Sequence, residues 1–218
     1  SKIVSLGEFA FSGVNFENIE GITFNSHLRK IGAYCFTSCN LSHLKNLSLI
    51  NNLIIENSVF SYNNFQHINL ANKSLKFGKF VFANNNSLET IEFTGDQEFV
   101  PTGMFYFCKN IKSVSLSNSI KRINSLAFLN CGNIKEVFFS EKLEEISSSA
   151  FRHTRICKID LSKTNVSNIK PYTFCNSYIE DAIFPRFIAF IDKKSFMNID
   201  NAAINKLQQD YPFLNIKE

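Results

Sequence analysis

The sequence predicts a right-handed solenoid, α/β leaning to β. It would have about nine coils of about 23 residues, a parallel sheet on the concave side, and short strands or helical turns on the convex side. Three observations predict it. Phenylalanine recurs in register at Phe11, Phe36, Phe60, Phe82, Phe105, Phe128, Phe151, Phe174 and Phe196, with gaps of 25, 24, 22, 23, 23, 23, 23 and 22 residues. An apolar residue sits five positions before each anchor: Leu6, Ile31, Ile55, Phe77, Val100, Ile123, Ile146, Ile169 and Ile191. Further on, an apolar pair flanks one intervening residue, as in Ile91/Phe93, Val114/Leu116, Val137/Phe139 and Ile159/Leu161.

Each part of the unit has its own period. The alternating pair has the two-residue repeat of a strand with one face buried. In the first coils this pair is read as Ile22/Phe24, Leu47/Leu49 and Ile68/Leu70, and in the last as Ala182/Phe184. The stretch around the anchor, "SLAFLNCGNI" in one coil, reads as a turn or short helical piece that points Phe and Cys inward. One unit is too small to bury its own apolar side, whereas stacked units share a continuous core. Equivalent strands about 4.8 Å apart would form one sheet along the stack. The end differs. In "DNAAINKLQQDYPFLNI", Ile204, Leu207 and Tyr211 have helical spacing and Pro212 is a stop. The expected organisation is therefore a solenoid over residues 1–199 and a helical cap of the same domain over 200–218.

The unit reads L-x-x-I-x-F…L-x-x-I-x-x-x-A-F-x-x-C, and "IKSVSLSNSIKRINSLAFLNCGNIKEVFFSEKLEEISSSAF" follows it nearly throughout. This resembles the leucine-rich repeats of the BspA-like type, over roughly residues 3–198. The early coils depart from the pattern in length, and "CNLSHLKNLSL" carries extra leucines. BspA-like proteins include surface proteins of bacteria and parasitic protists, several of them similar to adhesins. The resemblance thus implies a leucine-rich-repeat solenoid and points toward binding rather than catalysis.

Composition narrows the classes further. The chain has 218 residues, 44% hydrophobic and 19% charged, which fits a globular protein. Net charge is +4 with no basic run longer than two, so no nucleic-acid partner is expected. No stretch approaches 18 consecutive apolar residues, so no membrane insertion by this segment is expected. The chain opens in mid-pattern at "SKIVSLGEFAF" without an initiating Met, as a mature or excised piece would.

Candidate chemistry is sparse. Among the six cysteines, Cys39, Cys108 and Cys131 each follow an anchor by three residues, where the repeat is read as wanting a small apolar group. They are expected to be buried free thiols, with Cys108 and Cys131 the pair best placed to bridge. There is no CxxC, HExxH, phosphate loop or GxSxG, so no metal, no cofactor and no catalysis are expected. His27, His43, His67 and His153 read as lying at different phases of the repeat, which keeps them from clustering. Asn15, Asn40, Asn64, Asn110 and Asn133 recur in one register and are expected to bond neighbouring backbone. N-x-S sequons occur at Asn40, Asn46, Asn72, Asn85 and Asn165.

The outward positions of the strand face are the candidate site. Small polar residues fill most coils, with Asn46 and Ser48 assigned to the second. The last coils instead carry Glu136, Phe138, Lys158, Asp160, Asp181 and Ile183. Apolar groups ringed by charge suit a partner-binding patch. The alternatives are that lone surface apolars are ordinary or that the C-terminal segment covers Ile183. Two functions remain. One is a non-catalytic microbial adhesin, secreted or on the cell surface, that recognises a protein or glycan. The other is a cytoplasmic scaffold or regulator of a partner enzyme, which free thiols would suit.

Overall fold

The computed structural model describes residues 3–45, 47–71 and 75–212. Strands alternate between two rows. The first row holds β1 (Ser5–Leu6), β3 (Lys30–Ile31), β5 (Ile54–Ile55), β7 (Lys76–Phe77), β9 (Phe99–Val100), β11 (Arg122–Ile123), β13 (Glu145–Ile146), β15 (Asn168–Ile169) and β17 (Phe190–Ile191). The second holds β2 (Ile22–Thr23), β4 (Leu44–Lys45), β6 (His67–Leu70), β8 (Thr90–Phe93), β10 (Ser113–Ser115), β12 (Glu136–Phe138), β14 (Lys158–Asp160) and β16 (Asp181–Ile183). Every recorded pairing is parallel and joins equivalent positions of adjacent coils, such as Val114 with Ile91 and Val137. This is a parallel solenoid with little helix. Among the described residues the expected single sheet is interrupted: the second row divides into β2–β4, β6–β8–β10–β12 and β14–β16, and the first divides between β7 and β9.

The anchor phenylalanines form the spine. From Phe11 to Phe196, each ring stacks on the next at 5.1–5.9 Å between centroids, with planes within 5–22° of parallel. Phe60 through Phe151 are fully buried. Spacing of this kind adds an aromatic pair contact to the area each ring buries.

Around Phe11 to Phe174 the anchor segments are tight turns, and around Phe196 the segment is a short helical piece, the 3-10 turn Lys193–Phe196. From Phe11 to Phe174, residues two before and two after the anchor adopt positive φ, for example Tyr34 and Ser38, Phe80 and Asn84, Ser149 and His153. Side chains other than Gly and Asn pay about 1–2 kcal/mol to sit there. A forward hydrogen bond offsets that cost. The N–H groups of Phe9, Phe11 and Gly13 donate to Ala33, Cys35 and Thr37 of the next coil, and the residues between them bond within the arc. The pattern recurs in Phe80, Phe82 and Asn84, and in Ser149, Phe151 and His153. At Gly103, with φ of +60°, an added Cβ would lie 2.1 Å from the Phe80 ring, so a larger residue there would have to displace that ring.

The stack ends in a 3-10 turn, Lys193–Phe196, and in α1 (Asn201–Asp210), the helix expected from the spacing of Ile204 and Leu207. Asp200 caps α1 by accepting the Ala202 N–H at 2.7 Å. Leu207 is buried, and the Tyr211 hydroxyl accepts the Phe184 N–H at 2.8 Å. The remainder of the proposed cap, 213–218, lies outside the described residues.

Candidate interaction face

Along the second row the buried and exposed residues alternate, as in His67–Leu70. Register then aligns the outward side chains into two files. His67, Thr90, Ser113 and Glu136 make one, and Asn69, Glu92, Ser115 and Phe138 make the other. Lys158 and Asp160 continue on β14, paired in register with Asp181 and Ile183 on β16. The early part of the face is knitted by hydrogen bonds. His67 Nδ1 lies 2.6 Å from Thr90 Oγ1, and Asn69 donates to the Glu92 carboxylate at 2.9 Å.

The six sequence-selected residues divide into two groups. Glu136, Phe138, Lys158 and Asp160 are exposed, and the Phe138 ring is 55% accessible beside the small Ser115. Asp160 accepts both the hydroxyl and the N–H of Ser162, at 2.6 and 3.1 Å, and these bonds hold its carboxyl below the ordinary range. Asp181 and Ile183 are half-buried beside α1. Lys206 of that helix donates to Asp181 at 2.6 Å, and the bond raises the lysine above its usual value.

The second coil corrects the sequence reading. Its strand is Leu44–Lys45, in register with Ile22–Thr23, while Leu47–Leu49 forms a 3-10 turn with Leu49 exposed. Leu44 lies eight residues after Phe36, as Ile68 does after Phe60. His43 and His67 therefore occupy the same phase, and both line one cleft of about 370 Å³ between β4 and β6. Asn46, given an outward place in that coil, lies outside the described residues.

The position three after the anchor also differs from expectation. It is a buried donor site, not an apolar one. Cys39, Cys108 and Cys131 direct their thiols to the carbonyls of Phe11, Phe82 and Phe105, one coil back, at 3.0–3.1 Å. Asn63, Asn85 and Ser177 serve Phe36, Phe60 and Phe151 in the same way. All six cysteines are unpaired, and Cys157 is only partly buried. Burial pushes the Cys108 thiol up to about 12, Cys35 to about 11, and Cys131 well above its usual value.

The asparagine file bonds mostly to itself. Asn40 donates to Asn15, Asn64 to Asn40 and Asn133 to Asn110, while two of the five bond backbone among the described residues: Asn110 donates to the Asn86 carbonyl and Asn15 accepts the Glu17 N–H. Of the sequons, Asn85 is buried, Asn40 and Asn165 are exposed, and Asn46 and Asn72 lie outside the described residues. Among the described residues, no group of three or more His, Cys, Asp or Glu is placed to hold a metal, and no helix is long and apolar enough to cross a membrane.

This coil geometry places the molecule among leucine-rich-repeat solenoids. The chain belongs to the BspA type leucine rich repeat region family, which matches residues 1–112 and 98–211 in six copies. A leucine-rich repeat protein from Bacteroides ovatus has the same fold, at a TM-score of 0.62 and 20% identity over 87% of this chain. This chain spans 58% of that protein's length. A leucine-rich repeat protein from Eubacterium ventriosum gives a TM-score of 0.49 and 14% identity, over 90% of this chain and 68% of the other. A leucine rich cell surface protein from Faecalibacterium prausnitzii gives 0.47 and 14%, over 82% and 43%. No curated protein matches the sequence.

Proposed function

We propose that this chain is a non-catalytic binding module that recognises a partner protein through the outward face of β12 and β14. It would act as part of a secreted or surface-displayed microbial protein. The observation that carries the reading is Phe138, a large apolar ring more than half exposed on a face otherwise built of small polar and charged groups. Glu136 and Lys158 flank it, and neither is taken up by an ion pair among the described residues. An exposed aromatic beside unpaired charges of both signs has the composition of an interface anchor and its polar rim. Membership of the BspA-type family supports a binding role, and the likeness to BspA-like surface proteins supports the location.

Binding of the fluorescently labelled protein to epithelial and bacterial cells, followed by flow cytometry, tests this. Phe138→Ala should weaken binding about tenfold or more. Phe190→Ala, equally exposed on the first row, should leave it unchanged. Binding that survives Phe138→Ala undiminished would move the interface elsewhere.

The unpaired thiols favour one other reading, a scaffold in a reducing compartment. Quantifying free thiols in the protein isolated from its native cell separates the two. Six would favour the scaffold and fewer the secreted module.

A further inference from the structure

We infer that this molecule carries a second binding site: a groove across the last coils whose lining fits a carboxylated pyranose, the acidic unit of a uronic- or sialic-acid-bearing glycan. The site lies where the chain leaves each arc, ahead of the second-row strands, and includes neither Phe138 nor any other residue of the proposed protein interface. It therefore stands independently of that reading. Its volume is about 390 Å³, within the range of small-ligand sites, and its lining falls wholly within the described stretch 75–212.

Two files of side chains border the groove. The first comes from the left-handed residues two after the anchor, His153, Asn176 and Asn198, with φ of 57–59°. Asn and His enter that region more readily than most residues. Asn198 donates to Asn176 at 2.9 Å, and the Asn176 amide lies 3.4 Å from His153 Nε2, so the three polar groups are held in line. The second file stands four residues after the anchor. Gly132 leaves it open at one end, where an added Cβ would meet nothing within 4 Å. Arg155, Tyr178 and Asp200 follow, one per coil at about 4.8 Å, and all three are exposed, Tyr178 by 60%. Between the files Thr154 and Ser177 are buried, their hydroxyls spent on the Phe151 carbonyl.

Each border matches one part of an acidic sugar. Arg155 enters no ion pair among the described residues, so its guanidinium is free to hold a carboxylate through two N–H groups. The exposed Tyr178 ring suits the C–H face of a pyranose, whose weakly positive hydrogens meet the negative face of the ring. Imidazole and carboxamide groups can each donate and accept, as sugar hydroxyls do. Burial and the neighbouring Arg152 hold His153 below its ordinary value, which keeps the ring neutral near pH 7. Its Nε2 faces Asn176, so Nδ1 is left for the ligand. Asp200 gives one carboxylate oxygen to the Ala202 N–H, and the other can take a hydroxyl. Asp200 stands two coils from Arg155, so the acid binds with its carboxylate at Arg155 and its hydroxyls toward Asp200. A peptide strand is poorly served, because the amides of His153, Thr154, Arg155, Asn176, Ser177 and Tyr178 are already spent within the stack. One imidazole and one carboxylate fall short of a metal site.

Saturation-transfer NMR with the methyl glycosides of glucuronic acid, N-acetylneuraminic acid and glucose tests the assignment. We expect transfer to the ring C–H protons of at least one acid, and weaker transfer to the neutral glucoside. Arg155→Gln should weaken the acid about tenfold and erase its advantage over the glucoside. Tyr178→Ala should abolish transfer, and Tyr178→Phe, which keeps the ring face, should retain it. Phe138→Ala should leave binding unchanged, which separates this groove from the proposed protein interface. Melting curves establish that each variant is folded. Absence of transfer to both acids overturns the assignment, as does equal binding of the glucoside to the unaltered protein. Transfer that persists in both Arg155→Gln and Tyr178→Ala overturns it too. Tighter binding of N-acetylglutamate α-amide than of either acid would overturn it in favour of a peptide carboxylate.

Discussion

The first and last described coils are built from the same unit but packed differently. At the C-terminal end Phe184 and Phe196 are buried, α1 lies over β16, and Tyr211 bonds the backbone of Phe184. At the other end Phe11, Phe16, Leu6 and Ile22 are only half-buried, and they line an apolar hollow of about 250 Å³. Ile3 and Val4 are more than half exposed there. The repeat cannot close itself, because each coil leaves one apolar side for its neighbour. Closure takes a segment with a different period, and α1 supplies it with a face of Ala203 and Leu207.

The largest effect should come from the middle of the spine. Phe128→Ala should cost about 3–5 kcal/mol, because its ring is fully buried between two others. Phe11→Ala, in the first coil where the ring is half-buried, should cost about 1–2 kcal/mol. Urea midpoints compare them, and equal losses would break the distinction between interior and end. Next is Leu207→Ala, at about 2–3 kcal/mol. Its signature is local: amide exchange should quicken in Asp181–Ile183 and Phe190–Ile191 and stay slow in β8 and β10.

Smaller effects test the donor file. Cys131→Val should cost about 0.5–1.5 kcal/mol by removing the thiol's bond to the Phe105 carbonyl, which keeps the Cys108 N–H, while Cys131→Ser, which keeps a donor, should cost less. The raised thiols also set an alkaline limit. A buried thiol held protonated stabilises the fold fully below its unfolded value near 9, and that contribution is lost as pH rises toward about 12. Stability should therefore be flat with respect to these groups up to about pH 9 and fall above it. Cys108→Ser should shallow that fall. The smallest change belongs to the surface: Lys112→Ala breaks a 2.6 Å pair with Glu89 between exposed side chains and should leave the midpoint unmoved.

Much of this was legible in the chain. Nine phenylalanines at near-constant spacing forecast one column of rings, because a fixed interval returns each side chain to the same depth in every coil. The second coil misled because Leu44 and Leu47 both satisfy the apolar pattern. Counting from Phe36 selects Leu44, and with it brings His43 level with His67. The donor role three residues past the anchor was hidden by cysteine, which passes for a small hydrophobe. Asn63, Asn85, Thr154 and Ser177 at that register were the available signal. The left-handed arcs left little trace, since Tyr34, Phe80 and Leu126 run against propensity and only Gly13, Gly103, Asn84, Asn130, Asn176 and Asn198 hint at them. Strand alternation was enough to place Phe138 outside. That Asp181 and Ile183 sit beside a helix depends on a docking that no local pattern encodes.

The aligned arc amides carry an electrical consequence. In coil after coil, the N–H groups of the anchor and its left-handed flanks point toward the C-terminus. Peptide dipoles of about 3.5 D add when they line up, so this side of the rod is polarised, negative at its first arc and positive at its last. An α-helix has the reverse sense along its chain. Where the positive pole emerges, the carboxylates of Asp192 and Asp200 accept the Lys194 and Ala202 amides.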